Sequence, residues 1–225
     1  MASNIHTIYR RIFRVWRKKR YELFLETMRP DANYTCLDIG GSVYFWAQYS
    51  PPFRTIHTLN VRRSSTPVQE MPNYQIRTFI GDGCALPFPD QSYDIAFSNS
   101  VIEHVGSWER QKQFAADMRR VGKAVWCQTP AYECPIEPHY LAPFVHWLPE
   151  SVQNRVIRWS TLWGIIQKPH KEKIHETVAT TRLLRKCEMV QLFPDCEILT
   201  ERLFGIVPKS YIAVRTNMIA PSVHG

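Results

Sequence analysis

Acid is missing from the first 20 residues of this chain. Arg10, Arg11, Arg14, Arg17, Lys18, Lys19 and Arg20 stand there without an Asp or Glu, so this segment holds +7 of a net charge of +8 and the rest carries +1. Basicity is therefore a property of one segment, which argues against a nucleic-acid partner inferred from overall charge. No apolar run approaches the roughly 20 residues that cross a bilayer. The basic start also lacks the apolar core and small-residue cleavage site of a secretory signal, so a cytoplasmic setting is expected. Cys36, Cys84, Cys127, Cys134, Cys187 and Cys196 are scattered with no C-x-x-C spacing, which predicts reduced thiols in place of a disulfide frame or zinc site. The spacing of His146, His170 and His175 fits no common metal site, and none is expected. There is no internal repeat, no low-complexity tract and no G-x-G-x-x-G of a dinucleotide site.

What is present is an ordinary globular composition, 225 residues with 44% apolar and 21% charged, enough for one large α/β domain. Its centre is Tyr34 to Trp46, Y-T-C-L-D-I-G-G-S-V-Y-F-W. A short apolar run ending in a glycine turn reads as a buried parallel strand. Glycine at the carboxyl end of such a strand lets the backbone approach a ligand. A second long motif runs from Phe79 to Val105: G-D-G-C-A-L-P-F-P-D-Q-S-Y-D-I-A-F-S-N-S-V-I-E-H-V follows Phe79-Ile80.

Together the two motifs resemble the class I S-adenosylmethionine-dependent methyltransferases, in the branch that continues as L-P-F and V-x-E-H-V. The likeness runs from about residue 31 to residue 215. It implies a Rossmann-like α/β sheet, mostly parallel with an antiparallel closing strand and helices on both faces. It also implies S-adenosylmethionine as cofactor, held by Asp38, Gly40, Gly41, Asn60, Asp82, Gly83 and Asn99. Asp82 would accept from the adenine amino group, the backbone at Gly83-Cys84 would meet the ring edge, and Asn99 would face the methionine part. Two departures stand out. The family's D-x-G-x-G-x-G becomes Asp38-x-Gly40-x-Ser42-x-Tyr44, and its acidic ribose ligand becomes Asn60. An amide both accepts and donates, but without a carboxylate's charge.

The rest of the chain divides into residues 1–30, a basic amphipathic helix, and residues 31–225, the methyltransferase domain. Ile5, Ile8, Tyr9, Ile12 and Trp16 recur at helical spacing while the basic residues fill the other faces, a pattern suited to a helix packed on the domain with a solvated basic face, to peripheral contact with an anionic membrane surface, or to RNA or another polyanion. A helix is expected over 108–121, capped by Ser107, with Phe114, Met118 and Val121 as its buried stripe. Strands are expected over 55–61, 75–80, 93–98 and 123–128. An insertion at about 129–180, rich in proline and aromatics, reads as a lid or substrate wall for an acceptor with an apolar part. Within it Val152, Val156, Trp159 and Trp163 recur at helical spacing. A helix over 181–193 and a strand pair over 196–204 and 209–214 complete the prediction.

Methyl transfer needs the attacking atom held roughly 3 Å from the methyl group with water excluded, and a base only when the nucleophile carries its proton at neutral pH. Candidate bases are His139, with Glu137 two residues away, and His104. A small-molecule, sugar or lipid-linked acceptor is the expectation. The alternatives are a nucleic-acid or protein methyltransferase, and a silent cofactor-binding or interaction domain. Against a nucleic-acid amine or cytosine target, Ser98-Asn99-Ser100-Val101 replaces an N-P-P-Y clamp, and no Pro-Cys pair occurs.

Overall fold

The structure, a computed structural model, describes residues 2–62, 73–137 and 142–216, with side chains from residue 14 onward in the first helix. Seven strands form one sheet: β1 (Thr35–Ile39), β2 (Thr55–Asn60), β3 (Gln75–Ile80), β4 (Tyr93–Asn99), β5 (Gly122–Pro130), β8 (Glu197–Leu203) and β9 (Val207–Arg215), in the order β3-β2-β1-β4-β5-β9-β8. The first strands pair in parallel, with Asp38 in register with Thr58 on β2 and Phe97 on β4. The turn at 204–206 joins β8 to β9 and gives the antiparallel closing pair. This is the α/β arrangement expected from the motifs. The chain folds as two compact units, one of 1–98, 117–126 and 214–225, the other of 99–116 and 127–213.

In the first unit, α1 (Ala2–Met28) ends because Pro30 disfavours helix at Arg29, which takes a left-handed φ of 40°. Tyr21, Phe24 and Met28 form its buried stripe. Phe24 meets Phe97 and Trp126 edge to face at 5.2 and 5.3 Å. Arg14, Val15, Arg17, Lys18 and Lys19 are exposed, Val15 by 54%. β1 is buried from Cys36 to Ile39, as a strand covered on both faces requires. After it, Ser42 caps α2 (Val43–Gln48), its Oγ accepting from the Tyr44 N–H at 3.2 Å.

The second unit holds the start of α3 (Trp108–Val121) and the insertion. The insertion contains a two-stranded ribbon, β6 (Ile136–Glu137) with β7 (Ala142–Pro143), and three helices: α4 (Glu150–Ser160), α5 (Leu162–Gln167) and α6 (Lys171–Thr180). Ala142, Val145, Ile157, Ile174 and Val178 make a small core of its own, with Trp163 packed against it.

Two expectations are corrected here. The helical spacing of Val152, Val156, Trp159 and Trp163 does not run on one helix but is divided between α4 and α5. The helix breaks at Thr161, whose Oγ1 donates to the Ile157 carbonyl at 2.7 Å and accepts from the Gly164 N–H at 2.9 Å, while Gln153 and Ile157 are buried and Trp159 is 75% exposed. The helix expected over 181–193 is shortened to α7 (Lys186–Leu192). Residues before it run extended because Leu184 bridges Ala131 and the Arg182 N–H donates to the Glu103 carbonyl at 2.7 Å. No helix among the described residues is long and apolar enough to cross a membrane.

Candidate functional site

The glycine turn after β1 is built around a buried carboxylate. Asp38 is 1% exposed. Its Oδ2 accepts from the Trp46 indole N–H at 2.8 Å, and its Oδ1 has no hydrogen-bond partner among the described residues. Burial pushes its pKa up to about 7, against the opposing pull of the Trp46 bond. Gly40 takes a φ of 77°, open to glycine without strain, and its N–H donates to the Leu59 carbonyl at 2.7 Å. A Cβ on Gly41 would lie 1.7–2.1 Å from the Asp38 carboxyl atoms. The two glycines thus do different work: one turns the chain and the other lets the turn lie on the carboxylate. Ser42, where the family pattern has glycine, serves as the α2 cap.

Asn60 closes the turn from β2. Its Nδ2 donates to the Gly41 carbonyl at 2.9 Å. One of the donor hydrogens expected for a ribose hydroxyl is therefore committed to the turn, and Oδ1 remains as the acceptor. Asp82 follows β3, where its Oδ1 accepts from the Cys84 N–H at 2.9 Å and Gly83 is buried in the bend. Because β2 pairs with both β1 and β3, Asp38 and Asp82 flank the end of β2.

The L-P-F-P-D loop is tied down by one guanidinium. Arg120 donates to the carbonyls of Phe88 and Leu86 at 2.7 and 3.0 Å and pairs with Asp117 and Asp90 at 2.9 and 3.0 Å. Asp117 in turn accepts from the Leu86 N–H at 2.5 Å.

The remaining predicted residues belong to the second unit. Asn99 ends β4 and is half-buried. His104 ends a turn of 3-10 helix, Ile102–His104, exposed, with its Nδ1 3.4 Å from Thr181 Oγ1. Glu137 pairs opposite Ala142 in the β6–β7 ribbon. His139 lies outside the described residues.

Sequence reasoning missed two buried groups. Trp46 read as plain apolar core, although its N–H marks an indole that needs a partner when buried. Glu103, beside the predicted His104, is fully buried, and its Oε2 accepts from Thr129 Oγ1 at 2.9 Å. Together with burial, it holds the Cys127 thiol well above its ordinary pKa. The apolar neighbours in V-I-E-H-V were the available signal. Elsewhere in the first unit a hollow of about 740 Å³, lined by Pro51, Arg54, Tyr74 and Gln75 among others, opens where β2 and β3 begin. It lies at the amino-terminal edge, away from the glycine turn.

The arrangement around Asp38 fits a cationic donor. A buried carboxylate oxygen without a partner calls for one, and an amide acceptor stands on the next strand. Residues 32–124 match the family described as a methyltransferase domain. The chain also resembles a S-adenosylmethionine-dependent methyltransferase from Methanosarcina mazei, at 14% identity over 82% of this chain and 92% of that one, with a TM-score of 0.52. A protein from Pyrococcus horikoshii is similar at 12% identity, over 90% and 89% of the two chains, with a TM-score of 0.53. The small RNA methyltransferase HEN1 aligns at 14% identity over 88% of this chain and 24% of its own, with a TM-score of 0.51. No curated protein matches the sequence at a significant level.

Proposed function

We propose that this chain, whose residues 32–124 match a methyltransferase-domain family, is a class I S-adenosylmethionine-dependent methyltransferase that transfers a methyl group to a small-molecule acceptor, sugar or lipid-linked. When bound, S-adenosylmethionine supplies a sulfonium methyl open to in-line attack. The observation that carries the proposal is the buried Asp38 carboxylate, whose Oδ1 has no partner among the described residues, which suits the ammonium end of that cofactor. Asn60 Oδ1 accepts from a ribose hydroxyl, and Asp82 with Gly83 meets the adenine. Gly40 and Gly41 keep side chains out of the turn.

The acceptor is assigned to the second unit. Its insertion exposes Phe144, Trp147, Leu148, Trp159 and Ile165, an aromatic and aliphatic set that suits an acceptor with an apolar portion. His104 is the described candidate for taking a proton from it. His139 and Glu137 are retained in the same role. Residues 1–20, with seven basic side chains and no acid, are proposed to hold the enzyme at an anionic membrane surface.

A methyl-labelled donor offered with lipid, glycan and RNA extracts tests this reading. Label entering lipid or glycan supports it. Label entering RNA alone overturns the acceptor assignment and favours a nucleic-acid methyltransferase, the class to which the HEN1 likeness would then extend.

A further inference from the structure

Trp46 is fully buried and carries one polar atom, an N–H spent on Asp38 at 2.8 Å. Four rings hold the indole: Phe97 at 5.0 Å, Phe45 at 5.1 Å, Phe53 at 5.2 Å and Tyr21 of α1 at 6.4 Å. A carboxylate turns readily about its last torsion, which is broad and two-fold. An indole packed on this many sides does not. We propose that Trp46 is a positioning residue of the cofactor site: it pins one oxygen of Asp38 so that the other is presented to the ammonium group of the methyl donor.

The proposal rests on the reading of Asp38 given under Proposed function. It assigns to the aromatic cluster of α1 and α2 a task beyond packing, since their rings fix the indole that fixes the carboxylate. The electrostatic surroundings make the bond matter. Cys36, buried on the same strand, is coupled to Asp38, and its thiol is pushed well up by burial and that charge, so it stays neutral. On β2, His57 pairs with Leu37 and so points to the other face of the sheet. On β4, Asp94 lies beyond the pair of Cys36 with Ile95, toward the amino end. The residues of α2, V-Y-F-W-A-Q, carry no charge. Among the described residues the indole gives Asp38 its one side-chain hydrogen bond, and losing it raises the proton affinity of the carboxylate.

Cofactor binding is read by calorimetry between pH 6 and pH 8 on the full chain and on Trp46→Phe, which keeps a ring and deletes the donor. Ionised Asp38 is the binding form, so affinity falls as pH drops through its pKa. With the midpoint moved up, the dissociation constant of Trp46→Phe exceeds wild type several-fold at pH 6 and by distinctly less at pH 8. In an Asp38→Asn background the same substitution changes affinity little, because the two act as one unit. Phe53→Leu, which loosens the cluster but spares the donor, lowers thermal stability without tilting the pH profile. Without any cofactor, the gap in Tm between wild type and Trp46→Phe widens from pH 5 to pH 8 as the carboxylate ionises.

A ratio of dissociation constants equal at both pH values, or a Tm gap that does not widen, leaves Trp46 as packing alone and overturns the proposal. Wild-type protein that binds no S-adenosylmethionine at any pH overturns the functional reading beneath it. The ligand-free Tm series distinguishes the two failures.

Discussion

A carboxylate enclosed under a glycine and an indole destabilises the protein that carries it, because one hydrogen bond does not replace the water it has lost. The pH dependence has a definite sign. The folded pKa of Asp38, about 7, lies above the ordinary value of 3.8, so the folded state binds the proton more tightly. Stability tied to this group is fully present below about pH 4 and is lost as pH rises through 7. Replacing Asp38 by Asn should raise the Tm of cofactor-free protein by about 5 °C at pH 8 and change it little at pH 4.5, as scanning calorimetry at the two pH values would show. The same variant should lose cofactor affinity, which separates function from stability at one position. Gly41→Ala works in the opposite direction. Its Cβ would fall within 2.1 Å of the carboxyl atoms of Asp38, so the turn must open, and both Tm and cofactor affinity should drop. Unchanged values for Gly41→Ala would mean that the turn does not lie on the carboxylate.

At the scale of elements, α1 joins two chemistries on one rod. Its later turns are anchored by Phe24, 1% exposed among Phe53, Phe97 and Trp126. Truncation to Ala at that position should cost about 3–5 kcal/mol in denaturant unfolding. Its earlier turns present Arg14, Arg17, Lys18 and Lys19 to solvent. Changing these four to Gln should leave the Tm within about 2 °C and abolish the sedimentation with anionic vesicles expected of the wild type. Equal sedimentation by both proteins would remove the membrane contact. Elements with a clear local signal were legible in the sequence: β3 over 75–80, and α3 over 108–121, where the Ser107 cap and the Phe114-Met118-Val121 stripe agree. Legibility failed where tertiary bonds decide the backbone. Leu183 and Leu184 look helical in sequence but are buried in an extended segment that Glu103 and Ala131 hold by backbone bonds. Thr161 breaks a stripe that periodicity alone would carry from Val152 to Trp163.

For the whole molecule, the two motifs carried the fold class and the cofactor, because a strand, a glycine turn and an acidic residue at the next strand ends are read in sequence order. The hydrogen bond from Trp46 to Asp38 is not written in that order: eight residues apart, the two meet only because α2 turns back across the end of β1. Acceptor identity is no more legible, since it depends on the surface of an insertion whose exposed rings follow no motif. The central claim is that the end of β1 holds S-adenosylmethionine through Asp38, and titration calorimetry at pH 8 with wild type and Asp38→Asn tests it most directly. One molecule bound per wild-type chain, with affinity at least about tenfold weaker in the variant, is the expected result. No binding by the wild type, or equal binding by the two proteins, would contradict it.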